Sequence, residues 1–213
     1  MKKCFFICLT LLLAATAMPL RAQNAEAILA KVKQKYQSLK QVCAEFEQTF
    51  HWKMAGETQV TRGSLCTQNG VQFRIELQDQ TIVTDGVTLW TLSQANRQVM
   101  IDHAANGKEN NPFLSTFIEK YFKSYRAVLA GEETVQGTPH YHLLLTALSE
   151  DEFERTLDLW VNKSTLIMSR IKLVDVNGND SIYEVTSLNL KPALNDQDFV
   201  LTVPEGFETV DLR

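Results

Sequence analysis

His140 and His142 stand two residues apart, and Asp151, Glu152 and Glu154 crowd one short polar stretch. Cys43 and Cys66 are well separated, and Arg74 sits between Phe73 and Ile75. Each group suggests a chemistry. Two histidines at i and i+2 of a strand share a face and could make half a metal site. No third ligand stands at a completing spacing, and two distant cysteines fall short of the four ligands zinc requires. Paired carboxylates can act as acid and base on a scissile bond; here they lie between two strand-like runs, where a solvated turn is the ordinary reading. Cys43 has no evident base partner. No G-x-S-x-G elbow, P-loop or G-x-G-x-x-G occurs. By elimination we expect a non-enzymatic binding protein without metal or cofactor. A hydrolase would instead need a buried polar triad.

The elements that must position these residues fall into a clear order. Lys2 and Lys3 precede an apolar run from Cys4 to Ala17, and Leu20-Arg21-Ala22 ends in a small residue. This pattern is a secretory signal peptide over residues 1–22, cut after Ala22, with Ala17 as the second choice. The remaining residues, 23–213, suffice for a single domain. Ala25, Ile28, Leu29, Val32, Tyr36 and Leu39 recur at helical spacing, which predicts an amphipathic helix over 25–40 capped near Asn24. From Val42 the period becomes two. Val42, Ala44, Phe46 and Phe50 take one face; Cys43, Glu45, Glu47 and Thr49 take the other.

About ten or eleven strands follow, punctuated by Asn69-Gly70, Asp85-Gly86 and Asn177-Gly178, the favoured residues of two-residue hairpins. Such a series predicts an antiparallel sheet, with no βαβ alternation to support a parallel one. "NNPFLSTFIEKYFKSY" predicts a second helix over 113–125, with Asn111 as N-cap and Pro112 at the first position. Its stripe of Phe113, Leu114, Phe117, Ile118, Tyr121, Phe122 and Tyr125 is wide enough to seal a sheet face, although core packing alone would also explain it. Two helices over so many strands can leave an apolar cavity.

Charge narrows the partners. Removal of residues 1–22 takes away Lys2, Lys3 and Arg21 and leaves 18 basic against 25 acidic residues, a net −7 in place of −4. That balance argues against a nucleic-acid partner and against simple adsorption to anionic lipid. An exported chain meets an oxidising compartment. If the first two strands form a hairpin turning near Met54-Ala55, residues whose numbers sum to about 109 face each other. Cys43 and Cys66 are such a pair, and a disulfide between them becomes possible.

Together these segments resemble the periplasmic outer-membrane lipoprotein carrier proteins, the LolA family. The resemblance runs through the opening helix, "VCAEFEQTF", "GSL" leading to "QFRIEL", "TIVTDGVTLWTL", "NNPF" opening a helix, and the closing "FVLTVPEGFETVDLR". It implies a mainly β (α+β) fold: an incomplete, strongly curved antiparallel β-barrel covered by two or three helices, with an apolar cavity for lipoprotein acyl chains. It implies a soluble, monomeric carrier that takes lipoproteins from an inner-membrane ABC-type complex across the periplasm to an outer-membrane acceptor. Phe46, Phe73, Trp90, Phe113, Leu114, Phe117, Ile118 and Tyr121 are the expected lining or near-lining residues. The FR motif places the family's functional arginine on Arg74, where it would latch the lid helices closed over the empty cavity; an ion pair on the polar face is the plainer alternative. A latch would help release, because burying an acyl chain is worth about 0.8 kcal/mol per CH₂. A carrier of another amphiphile, or a sensor module on the same fold, would carry the same pattern.

Overall fold

A computed structural model describes residues 17–104 and 115–213, with side chains from 24 to 104 and from 120 onward. The opening helix α1 spans Ala17–Ser38 and begins before the expected start at Asn24. Twelve strands and a second helix follow: β1 (Gln41–Trp52), β2 (Glu57–Gln68), β3 (Gln72–Leu77), β4 (Gln80–Thr84), β5 (Thr88–Ser93), β6 (Gln98–His103), α2 (Ser115–Ser124), β7 (Tyr125–Val135), β8 (Thr138–Ala147), β9 (Glu154–Asn162), β10 (Met168–Asp175), β11 (Asp180–Asn189) and β12 (Glu208–Asp211).

All twelve strands belong to one curved, unclosed sheet in the order β12-β6-β5-β4-β3-β2-β1-β11-β10-β9-β8-β7. Hairpins build β1 to β6 and β7 to β11, and the β1–β11 pair joins the halves. The turn at Asn69-Gly70 has φ of 54° and 73°, the doubly left-handed geometry that makes Asn-Gly the favoured two-residue hairpin.

The expectation of a wholly antiparallel sheet needs one correction, because β12 runs parallel to β6. Parallel neighbours require a crossover, and here residues 190–207 supply it. They leave β11 in mid-sheet and cross one face, with a 3-10 turn at Asp196–Phe199 against β3. They then reach the far edge. The pattern of apolar residues announces neither β6 nor β12.

The sheet therefore has two different faces. The inner face of β7–β10 carries Ala127, Leu143, Leu145, Leu157, Leu159 and Val161, all buried against Ala25, Ile28, Leu29 and Val32 of α1 and Tyr121 of α2. Farther along the same face, Phe46, Leu65, Phe73 and Ile75 form a second buried cluster. The outer face of β4–β6 carries Val83, Leu92 and Val99. These are at most 4% exposed and lie on the side that the C-terminal strap crosses.

Cys43 lies directly opposite Cys66 across the β1–β2 hairpin, and the two are joined with an S–S distance of 2.03 Å. The bond closes a loop with a sequence separation of 23, so chain entropy assigns it about 3 kcal/mol. Replacing both cysteines with alanine is expected to lower the unfolding free energy by about that amount. Urea titration of the two proteins checks this, and a difference below about 1 kcal/mol would show that the bond holds no open chain together.

Candidate functional site

The halves of the sheet meet on the inner face at β1, β11 and β10, beneath the last turn of α1. Period-two alternation points Val42, Ala44 and Phe46 of β1 inward. Leu65 of β2 and Val185 and Leu188 of β11 stand opposite members of that row. Ile167 to Ile171, at the start of β10, line the other side, and Tyr36 and Leu39 close the top. The walls are almost wholly aliphatic and aromatic. They enclose about 80 Å³, well below the roughly 300–1,000 Å³ of sites that bury a drug-sized ligand. A long chain could enter only if the walls part.

Phe46 is set by an unusual neighbour. Gly63 lies opposite it on β2. A Cβ at Gly63 would stand 2.7 Å from the Glu76 carbonyl oxygen and 2.9 Å from Phe46 Cζ. Glycine there leaves room for the phenylalanine ring to lie across the sheet, bordering the cavity.

Few polar atoms face this space. The β10 register shifts between Met168 and Arg170, and the Met168 N–H donates to Tyr36 Oη at 3.0 Å. Gln48 Nε2 donates to Tyr183 Oη at 2.9 Å. Burial pushes the Tyr36 phenol up to about 12, opposed by the Met168 N–H. Burial also raises Tyr183, opposed by Gln48. Both phenols therefore stay neutral at physiological pH.

The sequence-derived residues divide. Phe46 lines the cavity. Phe73, 2% exposed, belongs to the inner-face cluster beside it. Tyr121 packs with Tyr125 in the core under the helices, ring centroids 5.1 Å apart. Phe113 and Leu114, and the side chains of Phe117 and Ile118, lie outside the described residues. Trp90 is a correction: it pairs with Val83, which pairs with Arg74, so strand parity turns all three to the outer face, away from the cavity. The lining residues Tyr36, Leu39, Val185 and Leu188 are not among those expected, although Tyr36 and Leu39 end a helical stripe visible in the sequence.

Arg74 requires a second correction. Its guanidinium is on the outer face. Nε donates to Glu76 at 2.7 Å and Nη1 to the Asp198 carbonyl at 3.4 Å. The helices lie on the other side of the sheet, so the side chain braces the C-terminal strap in place of a lid. Arg74→Leu is accordingly expected to fold and to leave acyl-chain release unchanged, at a cost of about 1 kcal/mol or less for a part-exposed pair. A lipoprotein transfer assay with a thermal melt checks this; slowed release would restore the gating role.

Most of the other polar candidates are engaged structurally, but His140, 1% exposed, places Nδ1 2.8 Å from the Thr138 carbonyl oxygen and leaves Nε2 buried without a partner among the described residues. His142 places its ring nitrogens 2.8 Å from Glu133 and 2.7 Å from Asp158 and stacks on Trp160. Lys120 pairs with Glu152 and Glu154 at 3.7 and 3.0 Å. Among the described residues no three His, Cys, Asp or Glu side chains converge on a metal site, and no helix is long and apolar enough to cross a membrane.

Comparison with known proteins fits this geometry. Residues 37–202 match the family model described as outer membrane lipoprotein carrier protein LolA. The outer-membrane lipoprotein carrier protein of Aeromonas salmonicida is 26% identical over 189 residues, covering 86% of this chain and 89% of that one. Its counterpart in Hahella chejuensis is 26% identical over 206 residues, 93% of each. Among solved structures, an uncharacterized conserved protein from Thermus thermophilus superposes with a TM-score of 0.61 at 13% identity, covering 87% of this chain and 98% of that one. LprF from Mycobacterium bovis superposes with a TM-score of 0.52 at 10% identity, with the same coverage. At such identities the structural likenesses speak for the fold alone.

Proposed function

Because the chain belongs to the LolA family of outer membrane lipoprotein carrier proteins, we propose that it is a soluble periplasmic carrier that holds the acyl chains of lipoproteins in the cavity beneath α1. It would take them from an inner-membrane ABC-type complex and give them to an outer-membrane acceptor, with residues 1–22 removed on export. The observation that carries this reading is the cavity itself: aliphatic and aromatic walls at the junction of two half-sheets, with an amphipathic helix as its roof. Such a site reads chains by apolar burial, worth about 0.8 kcal/mol per CH₂, and makes few demands on the attached protein.

The reading is tested in two ways. Protein isolated from the periplasm of its own host should carry lipoproteins bearing two or three acyl chains, read by mass spectrometry of the intact complex. Spheroplasts incubated with the purified carrier should release newly made lipoproteins into the medium. A single class of free lipid in the first experiment, with no release in the second, would replace this reading by that of a carrier for another amphiphile.

A further inference from the structure

Among the described residues of the cavity wall, the Tyr36 hydroxyl has hydrogen-bonding capacity unspent. Tyr36 Oη accepts the Met168 N–H at 3.0 Å. A phenol has one hydrogen to give as well as lone pairs to receive, and no described residue accepts the Tyr36 hydrogen. The accepted bond anchors the oxygen against the start of β10, where the register shift leaves Met168's N–H to it. The ring is further fixed by its place in α1, next to the buried core. Burial pushes the phenol up to about 12, so the proton is present at neutral pH. A held, neutral O–H in an otherwise apolar site is the kind of sparse polar group that sets a ligand's position.

We propose that Tyr36 is a binding residue for acyl esters and amides: its hydroxyl donates to the carbonyl oxygen at the head of the chain and fixes how deep the chain sits. The proposal rests on the carrier reading and adds a chemical distinction that apolar burial cannot make. A hydrocarbon and an acyl ester of equal length bury similar area, but only the ester has a carbonyl to receive the bond. The hydroxyl thus favours acyl derivatives over plain hydrocarbon.

The test crosses two ligands with two proteins. Methyl dodecanoate and tetradecane, equal in chain length, each displace 1-anilinonaphthalene-8-sulfonate from wild type and from Tyr36→Phe, which keeps the ring. The expected result is a loss of about three- to tenfold in ester affinity, the size of one net hydrogen bond, with tetradecane unchanged within about twofold. Equal changes for both ligands, or none, would overturn the proposal while leaving the carrier reading in place. Failure of both ligands to bind wild type would overturn the reading and the proposal together. The second measurement uses wild type alone, so it survives a poorly folded variant. The infrared carbonyl stretch of bound, ¹³C-labelled methyl dodecanoate should lie below its frequency in hexane. A stretch at the hexane value would mean that no donor meets the carbonyl.

Discussion

Phe199→Ala should lower the unfolding free energy by about 3–5 kcal/mol, the range for deleting a buried phenylalanine ring. The side chain is 0% exposed. It closes the 3-10 turn of the strap, and that turn is itself fixed: the Asn195 side chain accepts the Gln197 N–H, and Asp198 receives the Asn195 N–H. Gln68 reaches across to Asp196 at 2.8 Å, and Gln41 donates to the Leu194 carbonyl at 3.0 Å. Without the ring these polar contacts have little apolar surface to hold in place. For a chain of this size the melting temperature should drop by roughly 6–20 °C, at about 2–4 °C per kcal/mol. Amide exchange should also report where the loss falls. Protection should decline first in β12 and β6, joined by parallel pairing at the edge, and last in β8 and β9 under the helices. A change below about 1 kcal/mol would mean that the strap lies on the sheet without stabilising it.

That strap also marks where the sequence stops being legible. The alternation in Val42, Ala44 and Phe46 against Cys43, Glu45 and Glu47 is clean, because β1 buries one face more than the other, and it sorts cavity from surface correctly. The Cys43–Cys66 register follows from a hairpin with a short turn, which is local geometry. Strands β4 and β5 are different: apolar residues point both ways, with Leu89 and Ile82 inward and Val83, Trp90 and Leu92 outward. Period two then says that a strand exists without saying which face is which, and Trp90 falls on the side the alternation does not reveal. What resolves it is the C-terminal strap, about a hundred residues away in sequence, which crosses that face on its way from β11 to β12. β12 is only four residues long, and its pairing with β6 depends on that same remote packing. The cavity is non-local for a similar reason. Its walls come from α1, β1, β2, β10 and β11, and the pairing of β1 with β11 that assembles them leaves no short-range trace. Arg74 illustrates the opposite lesson. Its neighbours Phe73 and Ile75 read as inward from the sequence, and parity alone then sends the arginine outward, against the role the family resemblance suggests.

Ala44→Phe should abolish acyl-chain binding while the protein stays folded. Ala44 lines the cavity and stands opposite both Leu65 and Leu188, which line it too. A benzyl group there has nowhere to go but the cavity, since the disulfide at Cys43 and Cys66 ties the two strands together one position away. The enclosed space is about 80 Å³, so the ring takes up much of it. Overpacking costs about 1–3 kcal/mol, part of which the buried ring returns. For the ligand there is no such return. If the ring denies about six methylenes their contact, the loss is about 5 kcal/mol at about 0.8 per CH₂, which weakens binding by roughly 1,000-fold or more. Fluorescence titration with a labelled acyl chain measures the affinity, and a thermal melt of the same sample establishes that the fold persists. The pair of readouts separates the two uses of apolar surface in this protein. Core residues such as Leu143 and Leu159 are 0% exposed and are needed for the melt. Cavity residues should govern the titration and leave the melt nearly where it was. Binding within about threefold of wild type in a folded Ala44→Phe protein, a change of under about 1 kcal/mol, would move the acyl site away from β1.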